Sequence, residues 1–401
     1  CSIGRGAPPF GRSSNVRATR RCTAGPCTGG PCAADGPHTA ANTNTIGSMR
    51  FAIFLISTLA FAQQIPRPEH PQPQFARPQW QSLNGPWDFE FDDADKGLAE
   101  DWSQPGRKFS KTITVPFCFE SKMSGIADTS FHPTIWYRRA FQPPANSAGK
   151  RVLLHFGAVD YHATVWINGR IAGQHEGGNT PFQFDITPLL KPSGNTITVR
   201  AWDPPTDRAI PRGKQYWEPK SRSIFYTRTS GIWQSVWLET TGSSYLEYFK
   251  IDAQLDGRVA VDARIARPEP GLTLAYIIKS GETTVASGAG APADGKYVAA
   301  GAFLRNPQLW SVERPRLYDV TLQLKQGDTV VDTVQTYFGI RKVSLENGKV
   351  AINGRPVYLK FVLDQGYWPE SLLTPPSDEA IQYDIRLTKE MGFNGARKHQ
   401  K

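Results

Sequence analysis

Between about residues 79 and 242, hydrophobic and polar positions alternate in short runs broken by turn residues, as at 151–156, 163–167 and 196–202. Period-two runs of this length predict half-buried strands. In VLLHFGAVDYHATVWINGRIAG the alternation is interrupted by Asn168-Gly169, the pair that a two-residue hairpin with positive φ requires. The predicted architecture is an antiparallel sandwich of jelly-roll type. A second alternating stretch, about 246–340, contains runs at 317–324 and 329–336 with Gly327-Asp328 at the turn, and its length fits an immunoglobulin-like sandwich.

After Arg355-Pro356 the pattern changes. VYLKFVL predicts a buried strand, Pro375-Pro376-Ser377-Asp378-Glu379 a helix start, and Ile381, Ile385, Thr388 and Met391 recur at helical spacing. Ser377 is the expected N-cap, with acids in the first turn. Met391-Gly392-Phe393-Asn394-Gly395 stops the helix, and a parallel strand should follow. A (β/α)8 TIM barrel takes about 250 residues, so 345–401 offers only the beginning of one.

The chain has 401 residues, 39% hydrophobic and 11% aromatic, ample for packed cores. Its formal charge of +10 invites a nucleic-acid partner, but residues 1–48 hold five arginines against one aspartate. Elsewhere basic and acidic residues alternate without a basic run of five, so no nucleic acid is expected. Four of the five cysteines, Cys1, Cys22, Cys27 and Cys32, lie in that same Gly/Ala/Pro/Arg-rich tail without zinc-ligand spacing. Cys118 is left as a buried spectator thiol.

From Met49 the sequence MRFAIFLISTLAFAQQ carries one arginine, an apolar run and Ala60-Phe61-Ala62 as a small-x-small cleavage site. Residues 49–62 predict a secretory signal, hence a secreted or periplasmic protein. The run is too short for a membrane span of about 20 residues, and none follows. Met49 is then the natural start, and 1–48 a non-native or disordered upstream tail.

The segments QWQSLNGPWDFEF (79–91), TITVPFCFES (112–121), IWYRRAF (135–141), the 154–187 stretch and TSGIWQSVWLE (229–239) resemble the sugar-binding domain of glycoside hydrolase family 2. PQLWSVERPRLYDVTL (307–322) and YFGIRKVSLENGKVAINGRPVYLK (337–360) resemble that family's second domain and the hinge into its barrel. The resemblance implies a mostly β chain: a jelly-roll sugar-binding domain at 75–242, an immunoglobulin-like sandwich at 246–344, and the first βα unit of a barrel at 345–401.

It also implies retaining hydrolysis of a β-glycosidic bond, by an acid/base and a nucleophile about 5 Å apart. In the family both are glutamates on later barrel strands, so the catalytic residues are expected beyond Lys401 and none is assigned here. The expected substrate-binding residues stand at strand ends that face the pocket of such a barrel: Asp364 and Gln365 after the first strand, Arg397 and His399 at the second. Trp368, beside Tyr367, is placed to stack on a sugar face. From the loop before SGIW come Trp217, Tyr226 and Arg228. Two departures from the family's pattern bear on specificity: SIFYTRT stands where some members carry an acid, and Phe361 where a glycine is usual.

The implied partner is a carbohydrate, with no cofactor and no metal site demanded by ligand spacing; a homo-oligomer of the full-length enzyme is compatible with this. The competing readings are a non-catalytic carbohydrate-binding protein and a structural adhesion module. A binding module should stop after a finished sandwich near Leu345, whereas this sequence runs on into a strand and helix, and the pocket-type segment 362–370 speaks against an adhesion module, so the expectation is an inactive fragment of an enzyme.

Overall fold

The computed structural model describes residues 64–292 and 294–400. The upstream tail and the signal segment fall outside the described residues, as does Lys401.

The alternating first stretch folds into two facing antiparallel sheets. One runs in the order Lys111–Val115, Gly85–Phe91, Thr134–Phe141, Asn195–Trp202, His162–Ile167, Arg170–Glu176, and the other Trp80–Ser82, Val236–Thr241, Arg151–Phe156, Phe182–Asp185. Between them lie Leu83, Trp87, Phe89, Ile113, Leu154 and Val199, all essentially solvent-free. Asn168 and Gly169 take φ of 54° and 79° at the turn joining His162–Ile167 to Arg170–Glu176, the conformation that pair allows at least cost.

The second stretch forms a sandwich from Tyr245–Ala253, Arg258–Ala266 and Tyr297–Phe303 against Thr283–Gly290, Leu272–Ser280, Tyr318–Gln326 and Thr329–Phe338. Leu246, Val261, Ile265, Leu274, Ile278 and Leu322 fill its core. The two-residue turn at Gly327-Asp328 stands where the pattern places it.

A three-stranded hairpin sheet, Val343–Glu346, Lys349–Ile352 and Arg355–Pro356, leads into Phe361–Asp364, the helix Asp378–Glu390 and the strand Gly395–Lys398, which pairs in parallel with Phe361–Asp364. This is a strand–helix–strand unit. Ser377 caps the helix, its hydroxyl accepting from the Ala380 amide at 3.2 Å.

The first strand is shorter than its apolar run suggests. Val357 N bonds back to Val350 O at 2.8 Å, and the Asn394 side chain accepts from Lys360 N and donates to Tyr358 O at 2.9 and 2.8 Å. Residues 357–360 therefore satisfy their backbone outside a ladder. Nor is the unit buried: Phe361 and Leu363 keep 45% and 53% of their surface, and Ile385 and Met391 on the helix 61% and 58%.

Candidate functional site

The strand Asn195–Trp202 leaves the first sandwich through a long loop, 203–230, that returns as Gly231–Ile232. Loops this long need internal ties, and here they are buried and polar. Asp203 accepts from Ser230 Oγ at 2.6 Å and lies 3.5 Å from the Arg212 guanidinium. Arg212 also donates to Pro204 O and Asp207 O. Gln215 donates to Asp160 Oδ2 and accepts from Thr229 N, both at 2.7 Å. Tyr216 N donates to Tyr226 O and Tyr226 N to Lys214 O, at 2.8 and 2.9 Å, closing the middle of the loop on itself.

Two results follow. Tyr226 is presented to Tyr367 of the strand–helix–strand unit, ring centroids 4.1 Å apart and 13° from parallel. Gly213 comes so close to the end of the parallel strands that an added Cβ would stand 2.5 Å from Gln400 O. The loop of the first sandwich is thus seated against the C-terminal ends of those strands, where a parallel sheet places its ligands.

Beneath the contact, Cys118, Ala158, Trp233 and Leu373 form a small core onto which Tyr367 and Leu372 pack. Thr374 Oγ1 is shared between Trp233 O and Pro116 O at 2.5 and 3.2 Å. Trp233 donates its ring N–H to Gly178 O at 2.7 Å. The SGIW motif therefore supplies the surface on which residues 366–374 sit.

The expected site residues divide into three groups. Asp364, Gln365 and His399 gather at the strand ends: the Asp364 carboxylate accepts from Gly366 N at 2.7 Å and pairs with Lys398, while Asp364 O accepts from His399 N at 2.9 Å. Gln365 holds a buried Oε1 without a hydrogen-bond partner, and Arg397 is an exposed neighbour opposite Leu363. Trp368 closes a tight turn with Leu372 through two backbone bonds of 2.8 and 3.0 Å.

Trp217 and Tyr226 lie on the loop. Trp217 packs edge-on against Tyr216 and Phe225 under the Arg208 guanidinium, 4.4 Å from its ring centre. Arg228 stands apart, with 1% of its side chain exposed. It donates to Thr129 O at 2.8 Å and to Ser130 O, lies over Phe131 and sits 3.8 Å from Glu120 Oε1. Its charge is spent on the sandwich interior.

Sequence reasoning passed over the carboxyls beneath the loop. Burial, then the neighbouring Asp203, pushes Asp160 well above the usual carboxylate range, and burial likewise raises Asp203. Burial pushes Glu120 up to about 7 against the pull of Arg228. Burial and then Asp160 raise the Tyr367 phenol. Perturbed carboxyls mark functional sites, but these three are sealed from solvent and cannot touch a sugar; they hold the loop. No local motif betrays them, since Asp160 and Gln215 are partners across 55 residues of sequence. Among the described residues no three His, Cys, Asp or Glu side chains are grouped to hold a metal ion, and no helix is long and apolar enough to cross a membrane.

Comparison with known proteins places this geometry in a family. Residues 80–241 match the model of the glycosyl hydrolases family 2 sugar binding domain and residues 244–341 a second model of glycosyl hydrolases family 2. A β-galactosidase of Priestia megaterium is 25% identical over 79% of this chain and 33% of its own length. One of Thermoanaerobacter pseudethanolicus is 31% identical over 65% and 36%. A β-glucuronidase of Paenibacillus borealis is 24% identical over 69% and 48%. The chain thus spans between a third and a half of the length of these relatives.

Among solved structures, Ruminococcus gnavus β-glucuronidase superposes with a TM-score of 0.67 at 23% identity, over 83% of this chain and 56% of that one. Bifidobacterium dentium β-glucuronidase complexed with coumarin-3-O-glucuronide superposes with 0.68 at 22%, over 78% and 57%. At such identities the likeness is one of fold. With both sandwiches matched in order by the family's own models, the chain belongs to glycosyl hydrolases family 2.

Proposed function

We propose that the protein hydrolyses β-glycosidic bonds with retention, and that residues 64–400 supply sugar recognition rather than the chemistry. The observation that carries this reading is the seating of loop 203–230 against the ends of the parallel strands, which puts Tyr226 on Tyr367. Asp364, Gln365, Trp368, Arg397 and His399 form one side of the wall, with polar groups for hydroxyls and a ring for a sugar face. Trp217 and Tyr226 form the other, and Arg228 positions the loop from within. The strand–helix–strand unit is the start of a TIM barrel in this reading.

Retaining hydrolysis needs an acid that protonates the leaving oxygen and a carboxylate that attacks the anomeric carbon from the opposite face, about 5 Å away. Glu120, Asp160 and Asp203 are buried, and Asp364 is held by Lys398 and Gly366 N. None is free to attack. We assign no catalytic residue to this chain and expect it to be inactive alone. The signal-like segment 49–62 supports a secreted or periplasmic location.

The test is hydrolysis of nitrophenyl β-galactoside and β-glucuronide by the 401-residue chain and by the longest product of the same gene. Turnover by the long product only, with a retained anomer by NMR, is the expected result. Turnover by the short chain overturns its inactivity. No turnover by either, with sugar binding intact, favours a carbohydrate-binding module.

A further inference from the structure

We propose a second carbohydrate site, on the outward face of the second sandwich, that holds a neutral glycan chain. The feature is a row across three strands: Tyr248 pairs with Arg264, and Arg264 with Tyr297. Both tyrosines are exposed, at 54% and 51%, while the arginine between them is half-buried. The next row is Lys250, Asp262 and Ala299, and Phe303, 60% exposed, stands further along the edge strand. The rings border a groove of about 510 Å³ floored by Asp262, Ala263, Arg264, Val298 and Ala299. None of these residues belongs to the wall described above.

Three features choose the occupant. Exposed rings on one sheet face match the apolar C–H faces of pyranoses, and the neighbouring charged groups match their hydroxyls. The charges are balanced: Arg264 Nε lies 2.9 Å from Glu247 Oε2, and Lys250 stands opposite Asp262. No net field is left for a polyanion. The face is also small. Six residues along a strand by three strands across is about 20 Å by about 10 Å, well short of the ~800 Å² that a stable protein partner takes. Tyr297 to Phe303 along one strand suits a chain of several sugar units. The choice of glycan rests on the glycosidase reading.

Electrophoresis of the full chain through native gels containing soluble β-galactan, β-glucan or β-mannan tests this. Retardation is expected in at least one gel. Tyr248→Ala with Tyr297→Ala should weaken it about tenfold, while Ile171→Ala, an exposed apolar residue on the first sandwich outside both sites, leaves it unchanged. Arg264→Ala is a second variant at the same row. Hydrolysis of small nitrophenyl glycosides, by whichever form of the protein shows it, should be indifferent to the tyrosine changes, so loss of this site and failure of the glycosidase reading are separable. No retardation in any gel, equal retardation of the double variant, or a dimer in sedimentation velocity that the double variant abolishes would each overturn the proposal.

Discussion

Arg77 donates to Glu239 Oε2 at 2.7 Å in the dry seam between the two sandwiches. The same guanidinium reaches Asp332 Oδ1 at 3.0 Å and Leu246 O at 2.6 Å, so a residue ahead of the first strand joins both sheets systems. Glu239 is also approached by His70 and His155, each at 3.3 Å, and accepts from Trp237 Nε1 at 3.0 Å. A buried pair is costly to break from one side, because the remaining charge is left without water. Arg77→Ala should therefore cost about 3 kcal/mol or more, read as a lower urea midpoint.

The carboxyls of this chain set opposite slopes of stability against pH. Burial pushes Glu239 up, but His155, His70 and Arg77 outweigh it and hold it well below 4.5. Its contribution is present above that value and is lost as pH falls. Glu120 is raised from 4.5 to about 7, so the folded state keeps a proton that the unfolded state gives up. Stability from this group is full below 4.5 and declines as pH rises through about 7. Glu120→Gln should remove the decline, worth about 3 kcal/mol, so that its melting temperature falls less than that of the unaltered chain between about pH 5 and about pH 8.

How much of this was legible in the residues depends on how local the signal is. The hairpin at Asn168-Gly169, the turn at Gly327-Asp328 and the cap at Ser377 are written in adjacent residues, and each stands where the pattern places it. The seating of the loop is not, because it rests on Asp160, Asp203 and Gln215, partners brought together only by the closed sandwich. Arg228 shows the converse. A basic residue two positions before Ser230 reads as a sugar ligand, yet its guanidinium turns inward to Thr129, Ser130 and Phe131. Nothing in the 226–233 segment reveals which way it points.

The Tyr226 and Tyr367 stack joins the first sandwich to the strand–helix–strand unit. Offset aromatic pairs contribute about 1 kcal/mol beyond the area they bury. A double-mutant cycle with Tyr226→Ala and Tyr367→Ala should show coupling of about 1 kcal/mol. Coupling near zero would mean that the rings touch without holding the loop.

The helix Asp378–Glu390 offers a local test. Its side-chain cap is Ser377, and its apolar residues Ile385 and Leu387 remain exposed. With little packing to compensate, Ser377→Ala should cost about 1 kcal/mol of helix stability, seen as faster amide exchange over 378–390.

Phe361, Leu363, Ile385 and Met391 of the strand–helix–strand unit, with Tyr358 just before it, are exposed, and an apolar surface of this kind is expected to promote self-association. Ile385→Lys with Met391→Glu should lower light scattering of the chain at high concentration. Shortening the chain divides the effect of this surface from that of residues 366–374, which cover Trp233 and Cys118 of the first sandwich. Ending at Pro375 removes the helix and the second strand while keeping that cover, and should raise solubility with little loss of stability. Ending at Leu345 also strips Tyr367, Leu373 and Thr374 from the sandwich, uncovering Trp233 and the Cys118 thiol, and should lower the melting temperature and open Cys118 to thiol reagents. Equal melting temperatures for the two forms would mean that residues 366–374 rest on the sandwich without stabilising it.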